Sequence, residues 1–294
     1  MNASSSVPVA RRFDAATDLH APDLTLLAIG TSTERCSVAV LRRRRGEANG
    51  FVIDSRPEPG QSGRVLGLVR EALGQAGASK RQLDAIAFDA GPGAFTGLRV
   101  GCGVAQGLGF ALDRPLLPVS SLAAIAVPAE PSPGVGPCER WIAVDARMQE
   151  LYWTIVPADA DPAAEPALDI RVGPAGDASR AFDARRARLA AMPGGGWPVL
   201  LLGNGFERSD ALRAWAEETD ARREPLAWPS ADRIAVEAER LWRRGRAVPA
   251  ERAAPLYVRD KVALDASEQA RLRAANRSRS ERDPSPVAAS RERR

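Results

Sequence analysis

Between Leu24 and Thr219 one order of elements can be read twice: strand, strand, strand, helix, strand, helix. In the first half "LTLLAIG" is an apolar run suited to a buried strand, and "RCSVAVL" alternates with period two. "GFVIDSR" follows a basic turn as the third strand. A helix is predicted from about Ser62 to Gln75, then the strand "LDAIAFDAG", a Gly-rich helix to about Leu112, and extended chain at "RPLLPVS". In the second half "RWIAVDAR" and "ELYWTIV" form a tight hairpin and "ALDIRVG" the third strand. A helix around Ala178–Ala190, the strand "WPVLLLGNG" and a helix near Phe206–Thr219 complete the copy. The chain closes with a helix at about Ala231–Arg244 and the segment "PLYVRDKVA". Two copies without close residue identity imply a duplicated α/β fold, two mixed-sheet domains flanked by helices. The boundaries drawn are a flexible leader 1–23, an N-terminal domain 24–119, a C-terminal domain 120–263 and a disordered basic tail 264–294.

At 294 residues the chain can build two cores, and 45% hydrophobic with 27% charged residues suits a globular protein. No apolar run nears the roughly 20 residues of a membrane span, and Arg11-Arg12 have no apolar stretch behind them. No membrane role and a cytoplasmic setting are therefore expected. Cys36, Cys102 and Cys138 form no CxxC pair, consistent with a reducing compartment. The single histidine, His20, lies in the leader, so no fold-held Ser-His-Asp or Cys-His unit and no histidine metal site is available. Asp89, Asp145 and Glu150 near strand ends are open to two readings, a catalytic carboxylate pair or turn residues and helix caps. Of the +4 net charge, about three units sit between Leu264 and Arg294, where eight Arg face five acidic residues. That tail is either a solubilising extension or a weak RNA contact. Arg42–Arg45, at a hairpin turn, read as a solvated cluster.

The duplicated order is the pattern of the actin-like, sugar-kinase and Hsp70 ATPase class, an RNase H-like plan. Its ATPases place a phosphate loop in the first hairpin of each half, with Gly for close backbone approach and an Asp for metal-bound water. Here the first loop is Gly30-Thr31-Ser32-Thr33, with hydroxyls but no acid. The second is Asp145-Ala146-Arg147-Met148, with no glycine. Together they fit a pseudo-ATPase with a vestigial nucleotide loop at Gly30, Thr31, Ser32 and Thr33.

"GPGAFTGLRVGCGVAQGLGF", residues 91–110, holds seven glycines. Gly97, Gly101, Ala105 and Gly109 recur every four residues along one helix face, Gly103, Gly107 and Ala111 along a second, and Val100, Val104 and Leu108 form a ridge. Five interior glycines weaken an isolated helix by about 4–5 kcal/mol, which close packing must offset. A phosphate accounts for the first turn alone. Packing on a sheet at one side and on another helix at the other accounts for the whole run, so the glycines mark an interface.

"LLAIGTSTERCSVAV", "GPGAFTGLRVGCGVAQGL", "VDARMQELYW" and "YVRDKVA" resemble, in order, four blocks of the TsaB family, formerly YeaZ. The resemblance spans roughly residues 24–263. It implies an actin-like (ASKHA) fold and a subunit that is not itself an enzyme, within the complex that makes threonylcarbamoyladenosine in bacterial tRNA. The helices matching Ser62–Gln75 and Thr96–Ala111 would pack on the equivalent pair of TsaD, the catalytic homologue, or of a second copy as a homodimer. The residues expected there are Val65, Leu66, Val69 and Leu73 on the first helix, and Gly97, Val100, Gly101, Val104, Ala105 and Leu108 on the second. TsaD would transfer the threonylcarbamoyl group to the adenosine beside the anticodon, and TsaE, a P-loop ATPase, would join. ATP and metal would belong to those partners, no cofactor to this chain, and tRNA would be met through the complex. Two departures stand out: Gly30 where the family usually has Asp, and Gln61 where it often has His. The competing reading is an independent ATPase or kinase. A peptidase lacks a fold-held histidine, a metal-ligand pair and an activated nucleophile.

Overall fold

The computed structural model describes residues 8–258 except 16–17, 19, 56–60, 128–136, 161–167, 194–195 and 225. The sequence tail 264–294 and most of the segment "YVRDKVA" lie outside the described residues.

The first sheet is built from β1 (Val9–Ala15), β2 (Leu24–Gly30), β3 (Ser37–Arg44), β4 (Glu47–Asp54), β5 (Ala85–Gly91) and β6 (Leu116–Ser120), in the order β1-β4-β3-β2-β5-β6. β2, β3, β4 and β1 pair antiparallel, whereas β5 and β6 join β2 in parallel. The second sheet takes β7 (Glu139–Asp145), β8 (Glu150–Val156), β9 (Arg171–Pro174), β10 (Val199–Leu202) and β11 (Arg222–Glu224) in the order β11-β10-β7-β8-β9. Here three strands run antiparallel and two join in parallel, the first sheet having β1 as an additional antiparallel strand. β4-β3-β2-β5-β6 and β9-β8-β7-β10-β11 therefore repeat one topology. This is a duplicated actin-like fold, as the element order implies.

Strand alternation sorts the apolar side chains between two faces. On β2, Leu27 and Ile29 point to the face covered by α1 (Val65–Gln75) and α2 (Phe95–Leu112). Leu24, Leu26 and Ala28 point to the opposite face, covered by Ile234, Ala235 and Ala238 of α7 (Ala231–Arg243). In the second sheet α4 (Ala175–Ala190), α5 (Gly205–Arg208) and α6 (Asp210–Glu217) cover Trp141, Ala143 and Trp153, with Phe182 and Trp141 stacked at 5.3 Å. α3 (Ser121–Ala126) links the halves and buries Leu122 and Ile125 against Ile142 and Leu202.

Several expectations are corrected. Residues 9–15 of the supposed flexible leader form β1, in register with β4 from Val9↔Asp54 to Ala15↔Ala48. Phe13 supplies the reason: its ring fills the space over Gly50, where an added Cβ would come within 2.4 Å of it. α7, assigned by chain order to the 120–263 domain, packs on the first sheet, whose second face would otherwise be open. Val248 then bridges to Leu116, and Gln106 of α2 donates from Nε2 to the carbonyls of Ala250 and Ala253. The helix foreseen near 206–219 is split into α5 and α6, because Ser209 caps α6 by accepting from the Leu212 N–H at 3.3 Å. Nor is the Arg42–Arg45 run a solvated cluster. Arg43 is buried and hydrogen-bonded to Glu239 of α7, and Arg42 donates to the Ala76 carbonyl at 2.9 Å. Arg45 and Gly46, both at positive φ, make the two-residue hairpin turn.

Candidate functional site

The loop after β2 is closed by the chain's own groups. Thr31 donates from Oγ1 to the Gly97 carbonyl at 2.8 Å, and the Ala94 N–H donates to the Ser32 carbonyl at 2.7 Å. The hydroxyl of Ser32 donates to Asp89, which also accepts from the Ser121 hydroxyl and from the Gly91 N–H at 3.0 Å. Thr33 engages Arg35. All three loop hydroxyls thus have partners within the chain. Asp89 is fully buried, and that burial pushes its carboxyl up to about 6 against the pull of Ser121, Ser32 and Gly91. It sits as an internal anion beside the loop hydroxyls, so a phosphate brought there would meet a carboxylate. Gly30 is enclosed as well: a Cβ there would lie 2.8 Å from Ser37 Oγ and 3.1 Å from the Pro229 carbonyl oxygen.

The second hairpin turn has a different shape. Arg147, Met148 and Gln149 are all left-handed, with φ of 62°, 54° and 63°. Asp145 accepts from the Arg147 N–H at 2.8 Å and from Arg208 at 3.3 Å, so it serves as a turn cap. Among the described residues no three His, Cys, Asp or Glu side chains gather as a metal cage. Nor is any described helix long and apolar enough to cross a membrane.

The glycines of α2 divide into two sets. Gly97 and Gly101 face the loop: added Cβ atoms would lie 1.9 Å from the Thr31 carbonyl oxygen and 2.3 Å from Thr31 Oγ1. Gly109 faces Arg114 and Leu116, at 3.0 Å from each. Gly103 and Gly107 face outward, with nothing within 4 Å of an added Cβ. Gly63 just before α1, and Gly67 and Gly74 within it, are equally open.

Of the residues expected to meet a partner, Val65, Val69, Leu73, Gly101 and Ala105 are buried in the chain's own first core. They support the face rather than form it. Gly97 is half-buried under Thr31. Leu66, 57% exposed, and the partly buried Val100, Val104 and Leu108 remain at the surface beside the open glycines. Sequence reading placed Gly103 and Gly107 on a small-residue line but did not choose them, and it passed over Phe110, 63% exposed at the far end of α2. An α-helix bears both glycine lines at the same four-residue spacing; what separates them is the side to which Leu98 and Cys102 turn.

Comparison with known proteins supplies the kinship. A family model described as TsaD, tRNA N6-adenosine threonylcarbamoyltransferase, matches residues 61–175. The tRNA threonylcarbamoyladenosine biosynthesis protein TsaB of Haemophilus influenzae is 44% identical over 135 residues, 46% of this chain and 54% of that protein. The protein of the same name from Escherichia coli is 38% identical over 130 residues, 44% of this chain and 54% of its own length. The matched segments thus span about half the length of these relatives. The solved structure of YeaZ from Pseudomonas aeruginosa superposes with a TM-score of 0.60 at 34% identity, covering 80% of this chain and 99% of that one. With nearly all of that protein matched at this identity, the chain belongs to the TsaB/YeaZ family.

Proposed function

We propose that this chain is a non-catalytic partner subunit in the synthesis of threonylcarbamoyladenosine in tRNA. It docks through the exposed face of α1 and α2 onto TsaD. The observation that carries this reading is the open glycine face: Gly67, Gly103 and Gly107 leave room for a second backbone, flanked by Leu66, Val100, Val104 and Leu108. Helices approach most closely where side chains are absent, and such a face is costly to keep unless a neighbour fills it. The TsaD family model matches a segment that includes both helices, which favours pairing between two proteins of related plan. The same face serves a homodimer when the partner is absent. TsaE joins through the assembly, nucleotide and metal belong to the partners, and the setting is the cytoplasm.

The test is co-purification with TsaD from the same cells. Gly103→Leu with Gly107→Leu fills the open face without touching the chain's own core, and it should abolish recovery of TsaD while the thermal midpoint of the free chain does not fall. Undiminished recovery at normal affinity would end this assignment. Gly101→Leu is not a usable probe, since its side chain would collide with Thr31.

A further inference from the structure

The exposed side of α2 is unlike that of a helix made to face water. Arg99 is the one charged residue among its eighteen, so residues 100–112 carry no charge. α7, on the other face of the same sheet, carries six charged residues in thirteen. A helix side left to solvent ordinarily bears charged and polar groups, whereas this one presents Gly103, Gly107, Phe110 and Ala111. Phe110 is 63% exposed. Among the described residues no ring or cation lies against it. Phe95, at the start of α2, has the Arg99 guanidinium over its face at 3.9 Å and the Tyr257 ring 5.9 Å away. The free chain gains nothing from Phe at position 110, where Ala has the better helix propensity and a charged residue the better solubility.

The place of Phe110 along the helix gives it a use. Seven residues make nearly two turns, so Phe110 lies in line with Gly103 and about 10 Å further along, with Gly107 between them. An added Cβ at either glycine meets nothing within 4 Å, so the floor is bare backbone and the ring stands at its end. A helix crossing over the two glycines has its axis about 7–8 Å from Phe110, measured along α2, and its side chains reach about 5–6 Å from that axis. The ring therefore meets the flank of any helix that fills the trough. Aromatic side chains enclosed in such contacts are among those whose removal costs most. The surface that meets it must itself be apolar, because residues 100–112 offer no charge with which a buried ion could pair.

We propose that Phe110 anchors the docking face and fixes the register in which a TsaD helix lies across Gly103 and Gly107. The partner surface it fits is an uncharged apolar hollow that takes one ring. The proposal rests on the docking reading above, and its test separates the two. Full-length Phe110→Ala and Phe110→Leu are compared with the parent for binding to TsaD by surface plasmon resonance. Phe110→Ala should weaken binding at least about thirtyfold, chiefly through faster dissociation, and Phe110→Leu should recover most of the loss. The urea midpoint of the free chain should fall in neither variant, because the ring is exposed. Added to Gly103→Ala with Gly107→Ala, Phe110→Ala should cost at most about threefold more, since a helix held off the floor no longer meets the ring. Phe110→Ala that binds within about threefold of the parent, while the glycine pair weakens binding, overturns the anchor and leaves the docking face standing. Effects that multiply in full overturn the register, by placing ring and glycines against separate parts of TsaD. Undiminished binding in every variant overturns the docking reading itself, and the proposal with it.

Discussion

The carbonyl oxygen of Thr31 lies 1.9 Å from where a Cβ on residue 97 would sit, so Thr31 and Gly97 pack backbone against backbone. Thr31 seals the contact by donating its hydroxyl to the Gly97 carbonyl. The obstacle is main chain on both sides, and no side chain can swing away. Gly97→Ala should therefore cost at least about 2 kcal/mol despite the better helix propensity of Ala. Urea denaturation of the purified variant measures this, and a midpoint at or above that of the parent would contradict the packing described.

Gly30 stands where the family resemblance leads one to expect an acid, yet introducing an acid there should not create a nucleotide site. Its Cβ would press on Ser37 Oγ, which is already accepting from the Ala231 N–H at the start of α7, and on the Pro229 carbonyl. Gly30→Asp is expected to lower stability by about 1–3 kcal/mol through overpacking. Calorimetric titration of the parent and of this variant with ATP and magnesium should give no binding heat in either, because Asp89 and the committed hydroxyls remain. Saturable heat from the parent chain would restore the ATPase reading.

Asp89 gives the protein a pH signature of known sign. Its carboxyl ordinarily titrates near 3.8, and burial raises it to about 6 in the folded chain. A group with a raised folded pKa contributes stability that is complete below about pH 3.8 and is lost as pH climbs through about 6. Asp89→Asn cannot ionise and keeps that contribution. The stability of the variant minus that of the parent should thus grow between pH 4 and 7, by up to about 3 kcal/mol. Asp54, also raised to about 6 chiefly by burial, is present in both proteins and cancels in the difference. Denaturation curves at several pH values decide it, and a difference that stays constant across that range would refute the internal-anion account.

How far the sequence could be read follows from what each element buries. β2 and β5 were legible because every residue in them is buried, which leaves continuous apolar runs. β1 was not, since Phe13 alone among its seven residues is buried and the rest show no alternation. β11, which is Arg222-Arg223-Glu224, pairs through backbone at a sheet edge and carries no apolar signal at all. The helical pattern of α7 was plain, but nothing in chain order tells which sheet a closing helix covers. That assignment depends on Ile234, Ala235 and Ala238 meeting Leu24, Leu26 and Ala28 across more than 200 residues of chain. The candidate face was legible as a helix rich in glycine. Its inward and outward sides were not, because the fold decides to which side Leu98 and Cys102 turn and sets Thr31 over Gly97 rather than over Gly103.

That distinction yields a test in which stability and assembly move in opposite directions. Gly103 and Gly107 lie inside α2 with nothing within 4 Å of an added Cβ, so Ala at either position adds helix propensity without collision. Each substitution should raise the stability of the free chain by about 0.5–1 kcal/mol, the sign opposite to that expected for Gly97→Ala. If the face receives a partner helix at backbone distance, the same two methyl groups hold that helix off and weaken the complex. Binding to TsaD, followed by surface plasmon resonance, should fall at least severalfold for the double variant while its urea midpoint rises. Two scaffolding glycines would give no such split. A double variant that is more stable and binds TsaD with undiminished affinity would mean that the face is open for some other reason, and the docking surface would have to be sought elsewhere on the chain.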